Sequence, residues 1–366
     1  MKIAVLLSGG VDSSVALRLL KEQGHDVTAF YLKIWLQDDF SFLGECPWEE
    51  DVKFASAVCD QAGVELKIVP LQNEYWDLVV SYTIDEIKAG RTPNPDIFCN
   101  SLVKFGQFFN KIDESYEKVA TGHYGEVIQI GERFGLRRSP DPIKDQTYFL
   151  CYLSQEQLRR ALFPIGHLEK HEVRSLAHKY ELATESKKDS QGICFLGRIS
   201  FRDFIRQHLG DLPGDIVNAD TGETMGTHSG YYYYTIGQRS GIGLHGGPWY
   251  VVAKDTVNNK VYISRNKVED QQQDTFTVGD CNWFFGEPNE GEQLQVKIRH
   301  GARLYDCVVN QTEEGKWQVK LAEPDGGIAA GQFAVFYRGD ICLGGTKILE
   351  STVIRVKEQA HQQPGF

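Results

Sequence analysis

The chain has 366 residues, of which 41% are hydrophobic, 24% charged and 11% aromatic. That is room for two to three domains of about 150 residues with a core needing no disulfide staples, which excludes small cross-linked scaffolds, disordered chains and collagen-like repeats. Basic residues number 39 against 50 acidic ones, a net charge of −11, which argues against a polycation that coats nucleic acid in bulk.

No apolar run approaches the roughly 20 residues of a bilayer span, and Ile3–Leu7 is too short for a signal-peptide core before Gly9 and Gly10 stop it. A cytoplasmic chain without a membrane partner is expected. The eight cysteines are scattered and include no C-x-x-C pair, so neither a disulfide framework nor a structural zinc site is expected.

The first third alternates strand-like and helix-like segments. Lys2–Leu7, Asp26–Ile34 and Glu65–Val69 read as strands, and Ser13–Gln23 and Trp48–Gln61 as helices closed by Gly24 and Gly63. Strands separated by single helices imply crossover units, hence an α/β fold with a doubly wound parallel sheet. A helix over Tyr75–Lys88 runs into Gly90–Asp96, where Pro93 and Pro95 impose a loop. Lys118–Thr121 reads as a short strand, and Glu156–Arg160 and Glu169–Tyr180 as exposed helices.

Beyond Gly197 and the amphipathic Ser200–Leu209, short strand-like runs separated by Gly, Asn and Asp turns dominate, including Gly230–Ile236, Trp249–Ala253, Lys260–Ser264 and Gln332–Tyr337. Three domains are expected: 1–198, a small central one at 199–275, and a β-barrel-like one at 276–366. The run Tyr231–Tyr234 is expected to be a strand with alternating rings.

The sharpest chemical feature is Ser8-Gly9-Gly10-Val11-Asp12-Ser13-Ser14, directly after the first strand and opening the first helix. Free amides of a helix N-terminus and two glycines suit the close approach of a phosphate. The loop lacks the Gly-Lys-Ser/Thr of a Walker motif and the G-x-G-x-x-G of a dinucleotide fold. The bland alternative is a tight turn capped by Asp12 and Ser13.

That loop resembles the S-G-G-x-D-S loop of the PP-loop ATP pyrophosphatases. Gly90–Asn100 and Lys187–Phe195 further resemble the two cysteine motifs of the tRNA-specific 2-thiouridylases. Ala120–Tyr124, Lys144–Phe149, Thr235–Arg239 and Ala330–Tyr337 match that family's pattern in order, so the resemblance extends over nearly the whole chain.

The resemblance implies ATP-dependent 2-thiolation of a tRNA wobble uridine, with 1–198 as the ATP-binding catalytic domain and 199–275 as a small tRNA-contacting domain. A uracil 2-oxygen is a poor leaving group, and adenylation turns it into part of a good one. Leu6, Leu7, Ser8, Gly9, Gly10, Val11, Asp12 and Ser13 would hold ATP, with Leu32 and Gly122 lining the adenine and ribose pocket and Mg²⁺ balancing the phosphate charge near Asp12. Cys194 would carry a persulfide received from a sulfur-donor protein, a cysteine desulfurase or a sulfur relay protein. Cys99 would be the second catalytic thiol, closing a disulfide with Cys194, and Asp96 the general acid/base. Free sulfide release and direct persulfide attack both remain open. Asn94, Pro95 and Asp96 would meet the target base, and His123, Lys144, Asp145, Gln146, Arg299, His300 and Gln332 the tRNA and its base.

Local chemistry adds that Cys99, following the proline-locked loop, would open a helix over Asn100–Asn110, where amide dipoles favour a thiolate. Two competing readings are a PP-loop ligase or amidotransferase acting on a small molecule, and a nucleotide- or RNA-binding module without catalysis. Charge is uneven as well: residues 1–100 carry 8 basic and 16 acidic side chains, whereas 133–206 carry 14 basic and 9 acidic. The second stretch is where phosphate contacts are expected.

Overall fold

The computed structural model describes residues 1–34, 47–189, 200–266 and 273–351. In chain order its first strands are β1 (Lys2–Leu6), β2 (Asp26–Lys33), β3 (Leu66–Pro70), β4 (Lys118–Ala120), β5 (Glu126–Ile130), β6 (Arg133–Arg137) and β7 (Ala161–Leu162). Five of them form a parallel sheet in the order β3-β2-β1-β4-β7. Ile3, Ala4 and Val5 are fully buried because helices cover both faces, which is why β1 reads as an unbroken apolar run. The helices α1 (Val11–Glu22) and α2 (Pro47–Ala62) share one core with β1, through Val15, Leu17, Ala55 and Val58. The opposite face packs on the helical pieces Gln72–Tyr75, Trp76–Val80 and Ser81–Lys88. Winding reverses at β1, so a crevice opens beyond the carboxyl ends of β1 and β4, the usual ligand position in such sheets. The expected α/β doubly wound fold is what the chain adopts.

A central four-stranded sheet contains Gly214–Asn218, Thr224–His228, Tyr250–Asp255 and Lys260–Ser264. The tyrosine run beside it is not a strand. Tyr231–Tyr233 is a 3₁₀ turn with Tyr231 and Tyr234 buried, because Gly230 at φ 148 turns the chain and the Tyr232 and Tyr233 hydroxyls reach back to the Gly210 carbonyl. The third part is a six-stranded antiparallel barrel in the order Gln273–Val278, Trp317–Asp325, Tyr305–Gln311, Glu292–Lys297, Phe333–Arg338 and Ile341–Ser351, closed by pairing of its first and last members. Unforeseen in the sequence is the β5–β6 hairpin. It leaves the first domain and adds β6 to the edge of Ile341–Ser351, welding the barrel to the parallel-sheet domain.

A second correction concerns Cys99. The helical segment opens earlier, at Pro95, with Asn94 as N-cap, and continues as a π turn over Cys99–Lys104. Pro95 explains the shift, since its fixed φ suits the first helical position and its missing N–H is no loss there. Cys99 is therefore one turn inside, not at the amide-rich end. No helix among the described residues is long and apolar enough to cross a membrane.

Candidate active site

Loop residues 8–10 follow β1 at the point where the winding reverses. Gly9 has φ 71, and a Cβ there would lie 2.3 Å from the Asp51 carbonyl oxygen, so only glycine permits the turn. Gly10 is the N-cap of α1 and no side chain caps that helix. The capping alternative for Asp12 and Ser13 is thus not what forms, and the first-turn amides are left for a ligand. Ser13 Oγ instead ties the loop to itself, accepting from Ser8 N at 3.2 Å and donating to Gly10 O at 3.2 Å. Leu6, Leu7 and Val11 are buried under the loop, and Leu32 is half-buried against the core cluster that contains Leu6.

The turn after β4 presses on this loop. A Cβ on Gly122 would come within 2.6 Å of Ser13 N, so the close approach itself demands glycine. Its neighbour Tyr124 donates its hydroxyl proton to Asp12 Oδ1 at 2.7 Å. Lys170 completes the enclosure, its Nζ 2.7 and 2.9 Å from the two Asp12 oxygens and 2.9 Å from Asp189. Asp189 also receives Lys144 and Arg174, each at 2.6 Å; burial works to raise its carboxyl, but the hydrogen bonds and charges of Lys144 and Lys170 outweigh it and hold the group well below the usual range. Lys187 donates to Gly9 O at 3.0 Å and to Asp51 at 2.6 Å.

A glycine cradle, an uncapped helix start and two lysines together fit a polyphosphate. They fit a resident metal less well. Both Asp12 oxygens are taken by Lys170 and Tyr124, and the described residues contain no cluster of three or more His, Cys, Asp or Glu suited to a metal ion.

The second half of the site is the helical turn after Pro93. Asn94 and Cys99 are buried, and Asp96 is partly exposed. Burial pushes the Cys99 thiol up; Asp96 adds to this, while Lys104 and a hydrogen bond with Tyr75 oppose it. Burial thus works against the expected thiolate at Cys99. Gln332 arrives from the barrel, donating from Nε2 to Pro93 O at 3.1 Å and Thr92 O at 3.3 Å while its Oε1 accepts from Asn94 at 3.5 Å. His300 stacks on Phe149 at 4.5 Å; burial, with Lys297 adding, lowers its basicity, and Asp145 and Asp96 pull the other way.

His123 connects the halves. It follows Gly122, bonds Thr121 Oγ1 through Nδ1 at 2.6 Å, and is kept neutral first by burial and then by Lys104, the same lysine that acts on Cys99.

Residues 144–146 part ways. Lys144 is paired with Asp189, Gln146 Oε1 accepts from Tyr124 N at 3.0 Å, and Asp145 is buried against Lys297 at 2.7 Å. Arg299 makes a two-pronged contact with Asp325 at 2.8 and 3.0 Å. Cys194, like Cys46, lies outside the described residues. Lys170, Tyr124, Asp189, Tyr75 and Lys104 were not singled out from the sequence; Lys170 opens an ordinary-looking charged helix, Lys170–Lys179, and carries no local signal.

The chain matches three family descriptions in sequence: "tRNA methyl transferase HUP domain" over residues 1–198, "tRNA methyl transferase PRC-barrel domain" over 202–265, and "Aminomethyltransferase beta-barrel domain" over 273–348. It is 43% identical over 362 residues to a tRNA-specific 2-thiouridylase MnmA of Parabacteroides distasonis, covering 96% of this chain and 100% of that one. A Bacteroides fragilis protein of the same description is 44% identical, with 95% and 100% covered. One from Halalkalibacterium halodurans is 42% identical, with 98% and 96% covered.

Proposed function

Because the chain belongs to the tRNA-specific 2-thiouridylase family, we propose that it thiolates position 2 of the wobble uridine of tRNA, using ATP to activate the oxygen and a cysteine persulfide to supply sulfur. ATP would lie with its polyphosphate against the Gly9 and Gly10 amides and its adenosine between Leu32 and Gly122. The uridine 2-oxygen attacks the α phosphorus, pyrophosphate leaves, and the base carries AMP at C2. Lys170 and Lys187 are placed to meet the phosphates, and Ser13 holds the loop in shape. A divalent ion travelling with ATP finds a ligand in Asp12 only if Lys170 moves off it.

Cys194 receives sulfur from a donor protein as a persulfide. Attack by Cys99 on that persulfide leaves a Cys99–Cys194 disulfide and frees hydrosulfide, which displaces AMP from C2. Burial keeps Cys99 protonated at rest, so this step needs a proton acceptor, and Asp96 is the carboxylate that acts on its thiol. Asn94 and Gln332, already bonded to one another, supply amide groups suited to a pyrimidine edge.

The observation that carries the reading is the meeting of the two halves: Gly122 touches the phosphate loop, and the next residue, His123, packs edge-on against Phe163 at 5.7 Å, the ring that also meets Phe105 at the end of the Cys99–Lys104 turn at 6.0 Å. A ligase that adenylates a small molecule needs no such thiol. In the deciding experiment, purified protein is incubated with unmodified tRNA, ATP, Mg²⁺ and a persulfide donor, and the nucleosides are analysed by mass spectrometry. 2-Thiouridine is expected from the parent and none from Cys99→Ser. Binding of ATP and tRNA without any 2-thiouridine would refute the proposal.

A further inference from the structure

The segment Thr235-Ile-Gly-Gln-Arg239 has no part in the chemistry above, yet its structure is specific. Gln238 closes a turn by accepting from Thr235 N at 3.0 Å, and its Nε2 donates to Ser240 O at 2.9 Å. Its backbone pairs with Val251, and Gly237, at φ 86, donates to the Val251 carbonyl. These residues build a scaffold whose charged projecting group is Arg239, exposed and without an ion pair among the described residues.

Arg239 lines a cup of about 420 Å³ together with Gly241, Gly243, Leu244, Pro248 and Trp249. A second cation stands next to the lining: the exposed Arg265 guanidinium lies over the ring of Trp249, 5.0 Å from its centroid, and beside Gly246. From Arg239 to Trp249 no backbone N–H donates to a protein acceptor among the described residues. In ordinary loops many such groups are satisfied internally. A glycine-rich turn whose amides, Pro248 apart, have no protein acceptor among the described residues, and which lies beside an arginine, is a concavity suited to an anion. Charge agrees with this, since Thr224 to Lys254 contains no Asp or Glu in a chain where 50 of 366 residues are acidic.

We propose that this cup binds a phosphodiester of the RNA substrate, with Arg239 as its principal ligand and Arg265 as its second. The proposal rests on the tRNA reading above and goes beyond it, because the cup lies outside both halves of the catalytic site. The RNA backbone is favoured over a free nucleotide because the cup is open and its one aromatic ring, Trp249, is buried and has Arg265 over it, which leaves little ring surface for a base. The central domain is also tied to the thiol-bearing segment: Tyr231 donates its hydroxyl proton to Lys88 O, and Gly90 is in close contact with Thr256. An RNA held at Arg239 is thereby registered against Asn94–Cys99.

The test is tRNA binding by fluorescence anisotropy across a salt series, for the parent, Arg239→Gln, Arg239→Lys and Arg265→Gln, with melting curves confirming the fold. Arg239→Gln is expected to weaken binding about tenfold and to lower the salt slope by about one, with Arg239→Lys intermediate. In thiolation assays KM for tRNA should rise with kcat little changed. Parent-like affinity and slope in Arg239→Gln would overturn the proposal. So would displaceable binding of inorganic phosphate or AMP that depends on Arg239 while tRNA binding does not, since that identifies a small-anion site. Failure of the parent itself to bind tRNA would instead refute the functional reading, a result distinct from a defect confined to the variants.

Discussion

Lys297 and Asp145 form an ion pair with both side chains fully buried, Nζ to Oδ2 at 2.7 Å, and the pair joins the barrel to the segment beside the phosphate loop. Lys297→Met keeps much of the volume and removes the charge, leaving Asp145 with Thr147 Oγ1 at 2.8 Å and with weaker donors at 3.3 to 3.4 Å from Thr147 N, Ser139 N and Arg138. Breaking a buried pair on one side typically costs about 3–5 kcal/mol. The surviving donors place this case at the lower end, about 3 kcal/mol, or about 4 °C in Tm if the chain melts as one unit. Asp145→Asn with Lys297→Met should recover part of that loss, because the buried carboxylate charge is then gone while Arg138, its second cation at 3.4 Å, can turn to solvent. Calorimetry and urea unfolding of the two single variants and the double variant measure the coupling. A loss below about 1 kcal/mol in Lys297→Met, or a double variant no more stable than the single, would show that the pair does not hold the domains together.

Gly122→Ala puts a Cβ 2.6 Å from Ser13 N and 2.7 Å from Asp12 C, so calorimetric titration should show ATP affinity falling about tenfold or more, with about 1–3 kcal/mol of stability lost. Lys170→Gln removes the cation on both Asp12 oxygens and leaves that carboxylate facing incoming phosphates. ATP affinity should fall about tenfold, with Lys170→Arg closer to the parent, and an unchanged dissociation constant would exclude Lys170 from phosphate binding. Burial raises Cys59 to about 11 and Cys307 and Cys342 to about 12, so these thiols keep their protons in the folded chain at pH values where the unfolded chain loses them. Their stabilisation is complete below about pH 9 and declines above it, by up to about 1.4 kcal/mol per unit for each thiol. Urea unfolding of the reduced protein between about pH 8 and pH 10 should show the decline, and a flat profile would contradict it.

The parallel-sheet half was legible because its signals are local. Buried strands such as Lys2–Leu6 are unbroken apolar runs, and the loop glycines stand at a strand-to-helix junction where few other roles exist. What escaped reading depends on distant partners. The β5–β6 hairpin looks like any surface hairpin until Ile341–Ser351 pairs with it. The tyrosine run has strand propensity, but Gly230 and hydrogen bonds to Gly210 override it. Cys99 departs from its expected place because Pro95 starts the helix five residues before Asn100 and because burial, invisible in sequence, outweighs Lys104. Lys170 reaches Asp12 across 158 residues of chain, a contact no spacing rule anticipates.

The basic stretch 133–206 acquires a different meaning in three dimensions. Much of its charge does not face solvent as a free patch: Lys144, Lys170 and Arg174 converge on Asp189, Lys187 is bound to Asp51, and Arg138 to Asp145. Clustered lysines with no counter-ion would repel one another and hold their side chains apart. Carboxylates bring them within 3 Å of shared oxygens, the spacing at which a phosphate can also receive them. The acids around the phosphate loop therefore organise its cations in the absence of a ligand, and an arriving phosphate competes with them for the same donors. This makes the net charge of the chain a poor guide to its partners. Acidic residues that contribute to the −11, such as Glu22, Asp26 and Asp60, are exposed, whereas beside the loop Asp12, Asp51 and Asp189 are matched by Lys144, Lys170, Arg174 and Lys187, so the net charge does not describe the site a phosphate meets.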